Sequence, residues 1–115
     1  MADFPFDPAV AEQILGCARR LTARGYVANQ LGNVAMRIPH PAHEHGVIYT
    51  KHAGVSLEDA TVDNIVITDV PTGALLYGRL PTSIGHQLNR EILKLRRDVN
   101  AVIHVHHDET IALFA

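Results

Sequence analysis

Two histidines near the end of the chain, His104 and His106, have the residue type and spacing that suit a metal site. They belong to the segment Val99–His106, whose β-branched residues predict a buried strand. Successive side chains of a strand point to opposite faces, so both imidazoles lie on one face, with Cβ atoms about 6 to 7 Å apart. Two neutral imidazoles at that separation can share a divalent ion, but a site needs at least a third protein ligand. Histidines at this spacing also pack across strands or add surface polarity without a metal, so both interpretations stay open.

The chain has eight histidines and one cysteine, and several of them have a plainer role than catalysis. Three histidines, His40, His43 and His45, fall in the proline-rich segment Pro39–Gly46. This segment predicts a solvated loop, and an adventitious metal site is the alternative. His107 falls on the opposite side of the strand from His104 and His106, and we expect it to cap a helix or face solvent. Cys17 lies on the apolar side of a helical pattern, which predicts a buried thiol rather than a nucleophile.

A helix and two hairpins come first along the chain. Asp7-Pro8 is a good helix start, and apolar residues recur at helical period until about Gly25. Alternating and β-branched segments separated by turns then predict four strands in two hairpins, the first with a long loop. These strands are Val34–Ile38, Val47–Thr50, Asn64–Asp69 and Ala74–Tyr77.

The rest of the chain places the histidine strand between two helices. Ser83 caps the first of them, and its apolar residues fall on one side: Ile84, Leu88, Ile92 and Leu95. The second helix runs from Glu109 and has little to pack against when it is cut at Ala115. Residues 1–115 therefore read as a single, incomplete domain, or one that other subunits complete, with a mostly antiparallel sheet covered by helices.

Composition excludes several classes of protein. The chain of 115 residues is 47% hydrophobic and 19% charged, as expected for one globular domain. A net charge of -2 without a basic patch predicts no binding to nucleic acid. No apolar run approaches the roughly 20 residues that span a bilayer, and the first residues lack a secretory signal. We therefore expect a cytoplasmic protein that does not bind membranes.

Four segments, in order, resemble motifs of the class II aldolase/adducin family. Arg97–His106 resembles the family's metal-binding strand, Arg-Pro-Asp-Val-x-Ala-Val-x-His-x-His, and Leu31–Arg37 resembles its Gly-Asn-Val-Ser-x-Arg motif. Thr50–Gly54 is similar to the Thr-Pro-x-Gly loop, and Leu80–Ser83 to the Pro-Ser-Ser turn. The resemblance covers about residues 9 to 115. It implies an α/β fold, a three-layer α/β/α sandwich with a mostly antiparallel central sheet, truncated at the C-terminus.

The resemblance also implies roles for particular residues. His104 and His106 would hold a divalent metal, Zn²⁺ first and Mn²⁺ or Co²⁺ as alternatives, together with a third histidine further along the chain. The ion would act as a Lewis acid on adjacent hydroxyl and carbonyl oxygens of a small-molecule substrate. Four residues fall on the family's phosphate pocket: Asn33, Gly54, Thr82 and Ser83. The alternative for Gly32-Asn33 and Gly54 is that they only form backbone turns and bind no phosphate.

The chain departs from the family where an acidic residue should act as general acid/base. That position is Ile84 counted from Pro81, or Gly85 counted back from His104, and neither is a carboxylate. One turn later the family has a histidine, and this chain has Leu88 or Asn89 at that position by the same two counts. His86 lies nearby and could replace the missing acid/base or ligand, because histidine titrates near neutral pH, or it could be an exposed helix residue.

These observations favour a metal-dependent lyase-like enzyme acting on a small hydroxy-carbonyl or sugar-phosphate substrate. An aldolase is the first form of this hypothesis, and an epimerase or decarboxylase at the same metal is a related form. The alternatives are a non-catalytic, adducin-like module for binding and assembly, and an inactive truncated fragment. The resemblance further implies a homo-oligomer, commonly a tetramer, with sites at subunit contacts.

Overall fold

The computed structural model describes residues 4–25, 32–83 and 85–105. Within these ranges the chain forms two α-helices and five strands. The elements are α1 (Pro8–Ala23), β1 (Asn33–His40), β2 (His43–Lys51), β3 (Ile65–Asp69), β4 (Leu75–Tyr77), α2 (His86–Leu95) and β5 (Ala101–His104). No helix in these ranges is long and apolar enough to cross a membrane. His106, His107 and the predicted last helix lie outside the described residues.

The first helix begins and packs as its sequence predicts. The Asp7 carboxylate accepts a hydrogen bond from the Ala9 amide at 2.9 Å, and Pro8 occupies the first turn, where no amide hydrogen is needed. Val10 and Ile14 are buried, while Cys17 and Leu21 are partly buried against the same apolar core. The helix therefore covers one face of the sheet with its apolar side, and the thiol has a packing role.

The sheet has the order β4-β3-β2-β1-β5, and each neighbouring pair is antiparallel. One face packs against α1 through a core that includes Val34, Tyr49 and Ile67. The other face carries a smaller core of Ala35 and Ile48 with Leu93 of α2. Helices on both faces of one sheet make three layers. The predicted α/β/α sandwich with an antiparallel sheet is confirmed.

The predicted long loop between the first two strands is wrong. The strands β1 and β2 continue to His40 and from His43, and these two residues face each other across a tight turn. The His43 Nδ1 atom lies 3.0 Å from Asp69 Oδ1, and the His40 ring stacks on Phe4 with centroids 5.1 Å apart. These contacts hold the hairpin tip, which a proline-rich and histidine-rich composition did not indicate.

The second helix turns its polar side toward the sheet. Its buried residues are His86, Asn89 and Leu93, whereas Leu88 and Leu95 of the predicted apolar side are 57% and 80% exposed. At 100° per residue these two sets lie on opposite sides of a helix. The side of α2 that faces the sheet thus carries the polar side chains of His86 and Asn89 together with Leu93, while Leu88 and Leu95 lie on the exposed side.

A buried arginine joins the far end of α2 to the first hairpin. The Arg37 guanidinium donates hydrogen bonds to the carbonyl oxygens of His45, Arg96 and Val99, and its backbone amide donates to the Asn100 carbonyl at 2.7 Å. Three carbonyl acceptors from two separate segments are satisfied by one side chain. These bonds hold the turn before β5 against β1 and help to set the register in which His104 meets β1.

Candidate active site

His104 and Asn33 are directly opposite each other where β5 pairs with β1. Residues paired in this way point to the same face of a sheet, and here that face is the one covered by α2. Asn33 is buried and His104 is half-buried. The predicted metal residue and one predicted substrate residue are therefore neighbours, although they are far apart in the sequence.

Gly85, at the start of α2, packs against both of these side chains. A Cβ atom placed on Gly85 would lie 2.8 Å from Asn33 Nδ2 and 3.0 Å from His104 Nδ1. Contacts under 3.0 Å do not occur for real Cβ atoms unless a neighbour shifts. The backbone at Gly85 is ordinary helical, with φ -66° and ψ -12°, so space rather than conformation requires glycine. The residue beside His104 is thus Gly85, which carries no carboxylate.

Asn89, one turn further along α2, fixes the orientation of Asn33. Both carboxamides are buried, and Asn89 Nδ2 donates a hydrogen bond to Asn33 Oδ1. Asn89 Oδ1 has no hydrogen-bond partner in the described part of the chain. A buried amide group with one unmet acceptor costs free energy unless something else satisfies it. This amide pair is a connection between helix and sheet that the sequence did not indicate.

The two loops predicted to bind an anion meet at the same end of the sheet. His52 and Thr82 form an isolated antiparallel bridge, and the Ala53 amide donates to the Pro81 carbonyl at 2.8 Å. Gly54, with φ +88°, turns the chain beyond this contact. The Ser83 hydroxyl is buried and has no hydrogen-bond partner among the described residues. The Gly54 loop and the Thr82-Ser83 turn are thereby adjacent to the start of α2.

His86 is buried rather than exposed, with 3% of its surface accessible. Its Nε2 atom lies 3.4 Å from the Thr68 hydroxyl oxygen on β3, and β3 is three strands away from β5 in the sheet. Burial, with a smaller contribution from the Arg90 charge, lowers the pKa of His86 to about 4. The imidazole is therefore neutral at physiological pH and faces β3.

A metal centre is not complete within the described ranges. No group of three or more histidine, cysteine, aspartate or glutamate side chains in these ranges could hold a metal ion. His104 supplies one imidazole, which suits zinc and its first-row neighbours. A larger cavity, of about 890 Å³, contacts Phe6, Tyr77 and Leu80 and includes none of the predicted site residues.

Replacement of Gly85 tests the close packing beside His104. We expect Gly85→Ala to lower the free energy of unfolding by about 1 to 3 kcal/mol, because the added methyl group overlaps Asn33 and His104. Gly16→Ala in α1 is the matched control, since nothing lies within 4 Å of its added Cβ, and we expect that variant to gain about 0.5 to 1 kcal/mol. Urea unfolding measures both, and equal stability of the two variants would contradict the packing.

The burial of His86 predicts an acid-sensitive fold. The folded-state pKa of about 4 lies below the unfolded value of about 6.5, so the unfolded chain binds the proton more readily. Stability is complete above pH 6.5 and falls as the pH drops toward 4, by at most about 3 kcal/mol. Urea unfolding at several pH values should show this slope in the wild type and a flatter slope in His86→Gln. Parallel slopes would show that His86 does not titrate in this way.

Comparisons with known proteins identify the family and the fold. The family model "Class II Aldolase and Adducin N-terminal domain" matches residues 12–115. The structure of an L-fuculose 1-phosphate aldolase is 17% identical with a TM-score of 0.81, and the match covers 94% of this chain and 49% of that aldolase chain. An aldolase II superfamily protein from Pseudomonas syringae is 22% identical with a TM-score of 0.81, covering 97% and 45%. An l-fuculose-1-phosphate aldolase from Thermus thermophilus is 19% identical with a TM-score of 0.72, covering 93% and 51%.

The chain spans about half the length of these solved structures. No curated protein matches it. The structural likeness lies below 25% identity and shows the fold, while the family model covers most of the sequence. The chain belongs to the class II aldolase and adducin family, whose N-terminal domain it matches.

Proposed function

We propose that residues 1–115 form the N-terminal, incomplete part of a metal-dependent, lyase-like active site. The observation that carries this proposal is the meeting of His104, Asn33 and Gly85 at the start of α2. The loop that contains Gly54 and the turn that contains Thr82 are joined beside it. Family membership and this arrangement support a site for a small molecule on the α2 side of the sheet.

His104 and His106 would hold a divalent metal ion, Zn²⁺ by preference and Mn²⁺ or Co²⁺ as alternatives, with a third ligand from outside the chain. When bound, the ion would supply Lewis-acid polarisation of a substrate carbonyl or hydroxyl oxygen. The contribution of the chain is to hold the His104 ring in place between Asn33 and Gly85. Asn89 supports that arrangement by holding Asn33.

The substrate would be a small hydroxy-carbonyl compound or a sugar phosphate. The hydroxyl groups of Thr82 and Ser83, with Gly54 and Asn33, would contact its anionic group. The start of a helix favours an anion, because free amide groups and the helix dipole point toward it. The buried, unpartnered Ser83 hydroxyl supports this assignment, since a bound ligand would give it a hydrogen-bond partner.

The proton-transfer step would differ from that of a standard aldolase. Gly85 provides no acid or base, and a Cβ added there would meet the side chains of Asn33 and His104. We assign His86 to this step from its position in the sequence, although its Nε2 atom lies beside Thr68 on β3 and its pKa of about 4 makes it a weak base at neutral pH. Because the absent carboxylate weakens the case for a standard aldolase, epimerisation and decarboxylation at the same metal are included in this proposal beside aldol cleavage.

A non-catalytic, adducin-like module is the second candidate. Two observations favour it: Gly85 lacks a carboxylate, and the apolar side of α2 is exposed at Leu88 and Leu95. An exposed apolar helix side is a common feature of interaction surfaces. Two expectations from the sequence belong to both candidates, namely a cytoplasmic protein and a homo-oligomer with sites at subunit contacts.

Metal content separates the two candidates. We expect the purified wild-type chain, after addition of zinc, to hold close to one ion per chain by elemental analysis, and the His104→Ala/His106→Ala double variant to lose it. The matched control is His40→Ala/His43→Ala, which removes two histidines at the hairpin tip and should leave the metal content unchanged. Absence of bound metal in the wild type after addition of zinc, manganese or cobalt would contradict a catalytic role for this chain and leave the binding module or an inactive truncated fragment.

A further inference from the structure

A small cleft lies at the end of the sheet opposite to the candidate active site. It has a volume of about 270 Å³ and is formed by the hairpin of β1 and β2 with the segment between α2 and β5. Arg37 and Asn33 are four residues apart on β1, which separates their Cα atoms by about 13 Å along the strand. The cleft is therefore separate from the site around His104. Its lining residues are Arg37, Pro39, Glu44, His45, Arg97 and Asn100.

Arg37 is buried, and part of its hydrogen-bonding capacity is unused. A guanidinium is always charged and carries five N–H donors in a fixed geometry. Three bonds from Arg37 reach the carbonyl oxygens of His45, Arg96 and Val99, while its buried Nε has no hydrogen-bond partner among the described residues. The residue is 7% exposed. Buried donors in a folded protein nearly always have partners, which indicates that a further group completes this arginine.

The positive charges that line this cleft exceed the negative ones. Burial first, and then the charge of Arg97, lower the pKa of Arg37, while Asp98 acts in the opposite direction. In the part of the chain that the structure describes, no carboxylate lies within ion-pair distance of Arg37, and Asp98 pairs with Arg96 at 2.8 Å. Glu44 is 3.6 Å from Arg97, but its side chain is 80% exposed, so this pair contributes little. Two guanidinium groups therefore share one loosely placed carboxylate.

The fold holds these groups in place before any ligand binds. Gly46, with φ +80°, lets β2 approach the arginine closely, because a Cβ there would lie 3.0 Å from Arg37 Cγ and 2.8 Å from the Ile38 carbonyl oxygen. A terminal nitrogen of Arg97 lies 3.2 Å from His45 Nε2. A ligand that binds to side chains already fixed in this way loses less conformational entropy than one that must order them.

We propose that this cleft binds a phosphate group, with Arg37 and Arg97 as its cationic contacts. Guanidinium groups match the geometry of phosphate oxygens, and the two charges of a phosphate match two arginines better than the single charge of a carboxylate does. Because Arg37 also holds the carbonyl groups of Arg96 and Val99, a bound phosphate stabilises the turn before β5. The inference goes beyond the proposed function and needs no metal.

Titration of the full chain with inorganic phosphate tests this inference. The chain is kept metal-free with a chelator at constant ionic strength, and the amide NMR signals of His45, Arg97 and Asn100 are followed beside those of Thr82 and Ser83. We expect phosphate to shift the first three signals. Arg97→Gln should weaken that binding about tenfold or more, as loss of a charge-assisted hydrogen bond predicts. Shifts confined to Thr82 and Ser83 would contradict a phosphate site at Arg37.

Two further variants separate binding from folding. Glu44→Gln removes the competing carboxylate and should strengthen phosphate binding severalfold, a gain that a purely structural role of Arg97 does not predict. Arg19→Gln, which removes an exposed arginine of α1, should leave affinity unchanged. Equal affinity in the wild type, Arg97→Gln and Glu44→Gln, or no shift in the wild type, would overturn the inference.

A parallel titration with glycerol phosphate identifies the source of the phosphate group. Tighter binding of the ester at His45, Arg97 and Asn100 indicates a phosphorylated small molecule, and tighter binding of inorganic phosphate indicates the free ion. Because no metal is present, either result leaves the metal-content test of the proposed function unaffected.

Discussion

The contact between the start of α2 and the end of the β1-β5 pair is the constraint on which the proposed site depends. Gly85 can lie against Asn33 and His104 only because it has no side chain. That close approach brings the helix start, the Thr82-Ser83 turn and the histidine strand to one end of the sheet. A Cβ at Gly85 would require the side chain of Asn33 or His104, or the helix start, to shift.

Buried polar groups hold this arrangement where most helices would use apolar side chains. Asn89 pairs with Asn33, His86 faces Thr68, and only Leu93 among the buried residues of α2 is apolar. Such contacts stabilise less than close apolar packing, because unmet hydrogen bonds in the interior cost free energy. The polar side of α2 therefore contributes less to stability than an apolar side would, while the apolar Leu88 and Leu95 lie exposed on the opposite side of the helix.

The fold was largely predictable because its signals in the sequence are local. The Asp7-Pro8 start and the apolar period defined α1, and alternating segments defined the strands. The face that α2 presents to the sheet was not predictable, because hydrophobic pattern alone favoured Leu88 and Leu95. Which side of α2 faces the sheet depends on polar partners on β1 and β3, which are distant in sequence. The same limit applies to the site, where the pairing of Asn33 with His104 depends on strand register, which no local pattern defines. The helical spacing of His86 and Asn89 on one side of α2 is compatible with a polar side facing the sheet, but it does not identify their partners.

The most direct test of the site is a titration of the isotope-labelled chain with Co²⁺, whose unpaired electrons broaden the NMR signals of nearby nuclei. If the metal binds at the His104 end of the sheet, the signals of Asn33, Gly85 and Asn89 disappear first, while those of His40 and His43 at the hairpin tip persist. Early loss of the hairpin signals, with Gly85 and Asn89 unaffected, would contradict a metal site beneath the start of α2.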